Sequence, residues 1–279
     1  MSKITRDKLA VMSVQYCQYS FEYYVESMAK CGIKWVDFWG GLPHYYRLDY
    51  DEAGAQKKLE WVKSLLEANN QKVAVYTPET LSYPYSFTDP AKETRDRTVD
   101  FFELAMKDAR LLGTDKVFLN SGCGLRDVPR EESFERLIES YKRIAELAEK
   151  YEIDLVLEQL QPYESNLVLT LPDIQRVLDG VNSKRMKVCV DLVAMEVAGE
   201  MLSQWFDTLG VEMIKLIHFA DTYHYILGDG QLPLKEYLKT LEDYDYQGIV
   251  DLEINDSIYW LDPHSSIEKS LAWFEKEWQ

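Results

Sequence analysis

The chain has 279 residues with 31 Lys and Arg against 48 Asp and Glu, a formal net charge of −17, which argues against nucleic acid as a partner because a polyanion meets net repulsion. With 46% hydrophobic and 13% aromatic residues against 13 Gly and 9 Pro, collagenous, low-complexity and largely disordered classes are excluded. No stretch approaches the roughly 20 apolar residues that cross a bilayer, Met1 to Ala10 lacks the apolar core of a secretory signal, and Cys17, Cys31, Cys123 and Cys189 form no C-x-x-C pair, so the expectation is a cytoplasmic chain with reduced thiols and no membrane partner.

Short apolar, β-branched runs alternate with longer amphipathic stretches along the whole chain. In order, the pattern predicts strand 11–16, helix 21–29, strand 35–39, helix 55–68, strand 73–76, helix 98–112, strand 117–120 and helix 134–151. It continues with strand 155–158, helix 171–178, strand 188–191, helix 201–209, strand 214–219, helix 234–241, strand 250–254 and a last helix from about 266 to 278. Ser20 is a ready N-cap for the helix entering at Phe21, and Gly32, Gly113 and Gly180 follow helical patterns, where glycine ends a helix in the left-handed conformation. Eight strand–helix units without a Ser/Pro linker or a break in composition predict one α/β domain over residues 1–279, a single (β/α)8 TIM barrel rather than two doubly wound halves.

Such barrels place their working residues at the C-terminal ends of the strands and in the loops that follow. Strands five to eight end on or contain Glu158, Asp191, His218 and Glu253. A strand often finishes in a polar residue that merely meets water, but four such ends fall on consecutive strands, and adjacent strands bring their ends to within roughly 5 Å of one another. Three carboxylates that close repel, and a bound cation or a shared proton relieves them. The set is oxygen-rich with one imidazole, suited to Mn²⁺, Mg²⁺ or Co²⁺ more than to a thiolate-type zinc site. His44, after strand two, and His224, after strand seven, face the same mouth, whereas His264 beside the last helix reads as solvent-exposed. Tyr45-Tyr46 and Tyr83-Pro84-Tyr85 are candidate pocket walls, with core packing the default for such residues. The Gly228-Asp229-Gly230 turn is too short for a phosphate cradle.

The sequence resembles the xylose-isomerase-like sugar isomerase/epimerase superfamily of metal-dependent barrels over essentially its whole length, most closely its fructoselysine and ketose 3-epimerase members. The matching segments are Gly40-Gly41-Leu42-Pro43-His44, Tyr76-Thr77-Pro78-Glu79-Thr80, Leu157-Glu158-Gln159-Leu160 with Pro162-Tyr163-Glu164-Ser165-Asn166, and His224-Tyr225-Ile226 with Gly228-Asp229-Gly230. The resemblance implies one divalent metal on Glu158, Asp191, His218 and Glu253, with Glu158 and Glu253 doubling as the acid/base pair. It also implies sugar contacts from Glu164 and His44, and His224 is grouped with them as substrate-binding. A homo-oligomer is implied too. Three positions depart from the free-sugar epimerases: Asp191-Leu192-Val193-Ala194 lacks their Asp-x-x-His, His224 stands near their arginine, and Leu42 replaces a frequent arginine.

The expected activity is epimerisation at C3 of a ketose or a fructosamine through an enediolate, with a dication binding both sugar oxygens and two opposed carboxylates moving the proton. The alternatives are an aldose/ketose or hexulose phosphate isomerase on the same site, and a non-catalytic sugar-binding barrel. An abasic-site endonuclease would need more rim histidines and a basic surface.

Overall fold

The computed structural model describes residues 4–81 and 84–278; Tyr83 lies outside the described residues. The apolar runs pair as parallel strands β1 Leu9–Met12, β2 Trp35–Gly40, β3 Lys72–Pro78, β4 Lys116–Asn120, β5 Asp154–Glu158, β6 Met186–Asp191, β7 Ile214–Phe219 and β8 Ile249–Leu252. They close in chain order, with β8 against β1, into the expected (β/α)8 barrel. Around it, among the described residues, lie α1 Phe21–Lys30, α2 Glu52–Ala68, α3 Lys92–Leu112, α4 Arg130–Tyr151, α5 Leu171–Val181, α6 Leu192–Val197, α7 Leu202–Leu209, α8 Leu234–Asp243 and α9 Pro263–Glu277. None is long and apolar enough to cross a membrane.

The strands read as apolar runs because both of their faces are covered. Val11, Phe38, Leu157, Val190 and Ile217 belong to the large core under the helices, while Val75, Phe118, Val156, Cys189 and Leu216 form a smaller cluster inside the barrel. Side chains alternate with period two. Two residues beyond Val156, Cys189 and Leu216, the same inward face therefore carries Glu158, Asp191 and His218 at the C-terminal mouth. Parallel register sets Glu158 beside Cys189, and Asp191 beside His218.

Several boundaries differ from the sequence expectation. β1 is Leu9–Met12 rather than 11–16: after Met12 the chain bends into a 3-10 turn, Ser13–Tyr16. There Ser13 Oγ accepts from Trp39 N at 2.9 Å and takes over where the ladder stops, and Tyr16 OH turns to Ser27 Oγ at 2.6 Å. β8 ends at Leu252, so Glu253 is the first residue beyond the strand. α3 starts at Lys92, not at 98, because its first turns are polar and stabilised by Arg95 donating to the carbonyls of Asp89 (2.7 Å) and Pro90 (3.2 Å). α5 runs through Gly180 to end on left-handed Asn182 (φ 51°). Gly180 serves packing instead: a Cβ there would lie 2.9 Å from Ile138 Cδ1 of α4. Gly113 does end α3 in the left-handed conformation, φ 84°.

The loop after β2, which carries His44, is tied to α3 by buried charge. Arg47 Nε lies 3.3 Å from Asp108 Oδ1, and Tyr45 OH donates to Asp108 Oδ2 at 2.9 Å. Tyr45 is thereby a core residue and not a pocket wall; Tyr46 OH meets Tyr85 OH at 2.8 Å. His264, expected at the surface, is half-buried with Nδ1 2.7 Å from Ser27 Oγ.

Candidate metal centre

The four strand-end residues converge. His218 Nδ1 lies 2.5 Å from Glu158 Oε1 and 3.0 Å from Glu253 Oε2. Asp191 joins through His224, whose Nε2 is 3.3 Å from Asp191 Oδ2 and 3.3 Å from Glu253 Oε2. Glu158 Oε1, His218 Nδ1 and Glu253 Oε2 are buried with no hydrogen-bond partner. Buried polar atoms without partners are rare and costly. Glu158, His218 and Glu253 aiming such atoms at one another, with the hydrogen-bonded Asp191 and His224 beside them, fit a divalent cation.

Two of the ligand candidates have their other polar atoms anchored. Asp191 is the N-cap of α6, with Oδ1 accepting from Val193 N at 2.7 Å, and its carbonyl accepts from Gln159 Nε2 at 2.7 Å. Glu253 Oε1 accepts from Asn255 Nδ2 at 3.0 Å. These bonds leave Asp191 Oδ2 and Glu253 Oε2 for the centre.

Below the mouth lies a second polar layer that the sequence reading missed. Asp37 and Asp251 are fully buried inside the barrel; Asp37 Oδ1 accepts from Thr77 Oγ1 at 2.6 Å. The far nitrogen of His218, Nε2, is 3.9 Å from Asp37 Oδ2 and 3.8 Å from Asp251 Oδ2. The available signal was alternation: in Trp35-Val36-Asp37 and Asp251-Leu252-Glu253 the aspartates hold inward positions of their strands.

Burial pushes Glu158 up to about 8, opposed by His218. Burial also raises Glu253, but the His218 and His224 imidazoles outweigh it and hold its carboxyl well below the usual range. For both histidines burial opposes the charged form, yet the facing carboxylates keep their pKa well above the ordinary imidazole value. The two imidazoles and the Glu158 carboxyl thus hold their protons more tightly than free groups do. A dication must expel those protons, so its apparent affinity is expected to rise between pH 6 and pH 8, with proton release visible by calorimetry in buffers of different ionisation enthalpy. An affinity independent of pH would contradict this electrostatic description.

A cavity of about 140 Å³ opens onto the centre, lined by Trp39, Glu79, Phe118, Glu158, Glu164, Glu253 and Asn255 among others, with no Lys or Arg among the described lining residues. Glu79 Oε2 accepts from Trp39 Nε1 at 3.0 Å. Glu164 is half-buried, with Oε2 accepting from Gln161 N at 2.9 Å, and burial raises its pKa. His44 is not gathered with these residues. It is buried behind Trp39, their ring centroids 6.5 Å apart, with Nε2 3.2 Å from Tyr19 O, and burial lowers its pKa to about 4.

The fold and site together define a (β/α)8 barrel with an acidic, histidine-bearing centre at the mouth where barrel enzymes carry out their chemistry. Residues 25–277 match the Xylose isomerase-like TIM barrel family, and the chain belongs to it. Fructoselysine 3-epimerase of Escherichia coli O157:H7 is 29% identical over 258 residues, covering 91% of this chain and 92% of that protein. The crystal structure of D-psicose 3-epimerase with D-tagatose from Clostridium cellulolyticum H10 superposes with a TM-score of 0.79 at 18% identity, over 96% of this chain and 98% of the other. That of the IOLI protein with a binding zinc atom does so with a TM-score of 0.77 at 15% identity, over 98% and 99%.

Proposed function

We propose that this chain is a divalent-metal-dependent sugar epimerase that inverts C3 of a ketose or a fructosamine. The observation that carries the proposal is the pair Glu158 and Glu253, whose unpartnered oxygens face His218 Nδ1 at 2.5 and 3.0 Å and which both line the cavity. The likeness to a fructoselysine 3-epimerase over nine-tenths of both chains supports the same reading. Asp191 and His218 complete the ligand set.

A bound dication would supply charge to stabilise the oxyanion that develops when a proton leaves the carbon beside a ketone. The chain does the rest. One glutamate removes the C3 proton and the other returns a proton to the opposite face, exchanging roles with the direction of reaction. Phe118 and Trp39 provide apolar wall, and Glu164 and Asn255 offer polar atoms to sugar hydroxyls. Among the described lining residues, four glutamates and no Lys or Arg oppose a phosphorylated substrate and favour a neutral or amine-bearing one, because an ammonium group gains from that potential and a phosphate loses.

Turnover in D₂O, followed by NMR over ketohexoses, fructosamines and their phosphates, tests the proposal. Two-base epimerisation places solvent deuterium at C3 of an inverted, unphosphorylated product. Deuterium confined to C1 or C2 would replace the epimerase with an aldose/ketose isomerase, and turnover of phosphates alone would overturn the substrate class.

A further inference from the structure

We propose that His224 is a fifth protein ligand of the cation, making the centre a two-imidazole, three-carboxylate site that selects borderline ions such as Zn²⁺ and Co²⁺ over Mg²⁺ and Mn²⁺. The proposal rests on the metal reading above and reassigns His224 from the sugar to the ion.

The spacing is that of one coordination shell. With metal–donor bonds of about 2.1 Å, neighbouring donors lie ~3.0 Å apart at right angles and ~3.4 Å apart in a tetrahedron. His224 Nε2 is 3.3 Å from Asp191 Oδ2 and 3.3 Å from Glu253 Oε2, and Glu253 Oε2 is 3.0 Å from His218 Nδ1. His224 is also the residue that links Asp191 to the other three ligands. Its ring is covered, at 8% exposure, and is not among the residues lining the cavity.

The loop is built to aim this ring. Tyr223 and His224 both have φ of 61°, a left-handed conformation that side-chain-bearing residues avoid. The buried Asp221 carboxylate holds it there: Oδ1 accepts from Thr222 N at 2.8 Å and Leu232 N at 2.9 Å, and Oδ2 from Gly228 N at 3.0 Å. Backbone strain that surrounding bonds over-determine is a mark of functional geometry. A second neutral imidazole in an oxygen-rich shell raises affinity along the series from Mn²⁺ to Zn²⁺ more than it does for Mg²⁺.

The test is X-ray absorption of the Co²⁺-loaded protein, together with affinities of wild type and His224→Gln for Co²⁺, Zn²⁺, Mn²⁺ and Mg²⁺. Two imidazoles per cobalt in wild type and one in the variant are expected, with Co²⁺ and Zn²⁺ affinity falling by at least about 10–100-fold and Mg²⁺ affinity much less. One imidazole in wild type overturns the fifth ligand and leaves the metal reading standing. A wild-type protein that binds none of the four ions overturns both. The wild-type spectrum does not depend on the variant folding.

Discussion

Glu253→Gln is expected to lower turnover by about 10²- to 10⁴-fold, the contribution of a positioned general base, while a substrate analogue still binds. Glutamine keeps the shape of the side chain and the neighbourhood of Asn255, but its amide accepts no proton and removes the negative charge facing His218 and His224. Metal affinity falls with it, so the measurement is made at saturating metal with the bound ion quantified. The mirror variant, Glu158→Gln, separates the two faces of the sugar. Each variant blocks inversion, but the remaining glutamate can still remove and return its own proton, so solvent deuterium enters one epimer without producing the other. Near-normal turnover of metal-loaded Glu253→Gln would remove it from the acid/base role.

Arg47→Met is expected to destabilise the fold by about 3–5 kcal/mol, because it leaves the buried Asp108 without its cation. The exposed partner of Arg47, Glu52, contributes little. Burial pushes Asp108 from the ordinary 3.8 up to about 7 even with Tyr45 and Arg47 beside it. The folded chain therefore holds a proton that the unfolded chain has released, and stability falls as pH rises between those two values. Removing Arg47 raises the folded value further and carries the loss to higher pH. Urea titrations should show a larger deficit at pH 8 than at pH 6, and adding Asp108→Asn should recover most of it. An equal deficit at both pH values would show that Asp108 is not the group left exposed to the change. The consequence reaches the site, since this pair ties the loop carrying His44 behind Trp39, a wall of the cavity.

The local grammar of the barrel was legible. Buried strands are short apolar runs, amphipathic helices repeat near 3.6 residues, and both periods survive without knowledge of neighbours. Glu158, Asp191, His218 and Glu253 stood out because each ends or lies within such a run where a barrel opens. The start of α3 was hidden because its first turns are polar, and β1 was displaced because 13–16 alternate like a strand yet turn aside to Trp39 and Ser27. Asp37 and Asp251 were passed over because a carboxylate within a strand looks alike whether it faces the axis or a helix.

By itself the sequence determined the order of the elements, the barrel they form and the four side chains, Glu158, Asp191, His218 and Glu253, that it brings to the mouth, since these follow from periodicity and covalent order. Only the tertiary structure decided that His224 bridges Asp191 and Glu253, that Glu253 lies one residue past its strand, that His218 turns Nδ1 upward and Nε2 toward Asp37 and Asp251, and that His44 withdraws behind Trp39. Those facts depend on the register between strands and on a left-handed turn held by Asp221. They are contacts among residues tens of positions apart, set by the closed sheet and invisible to any local window.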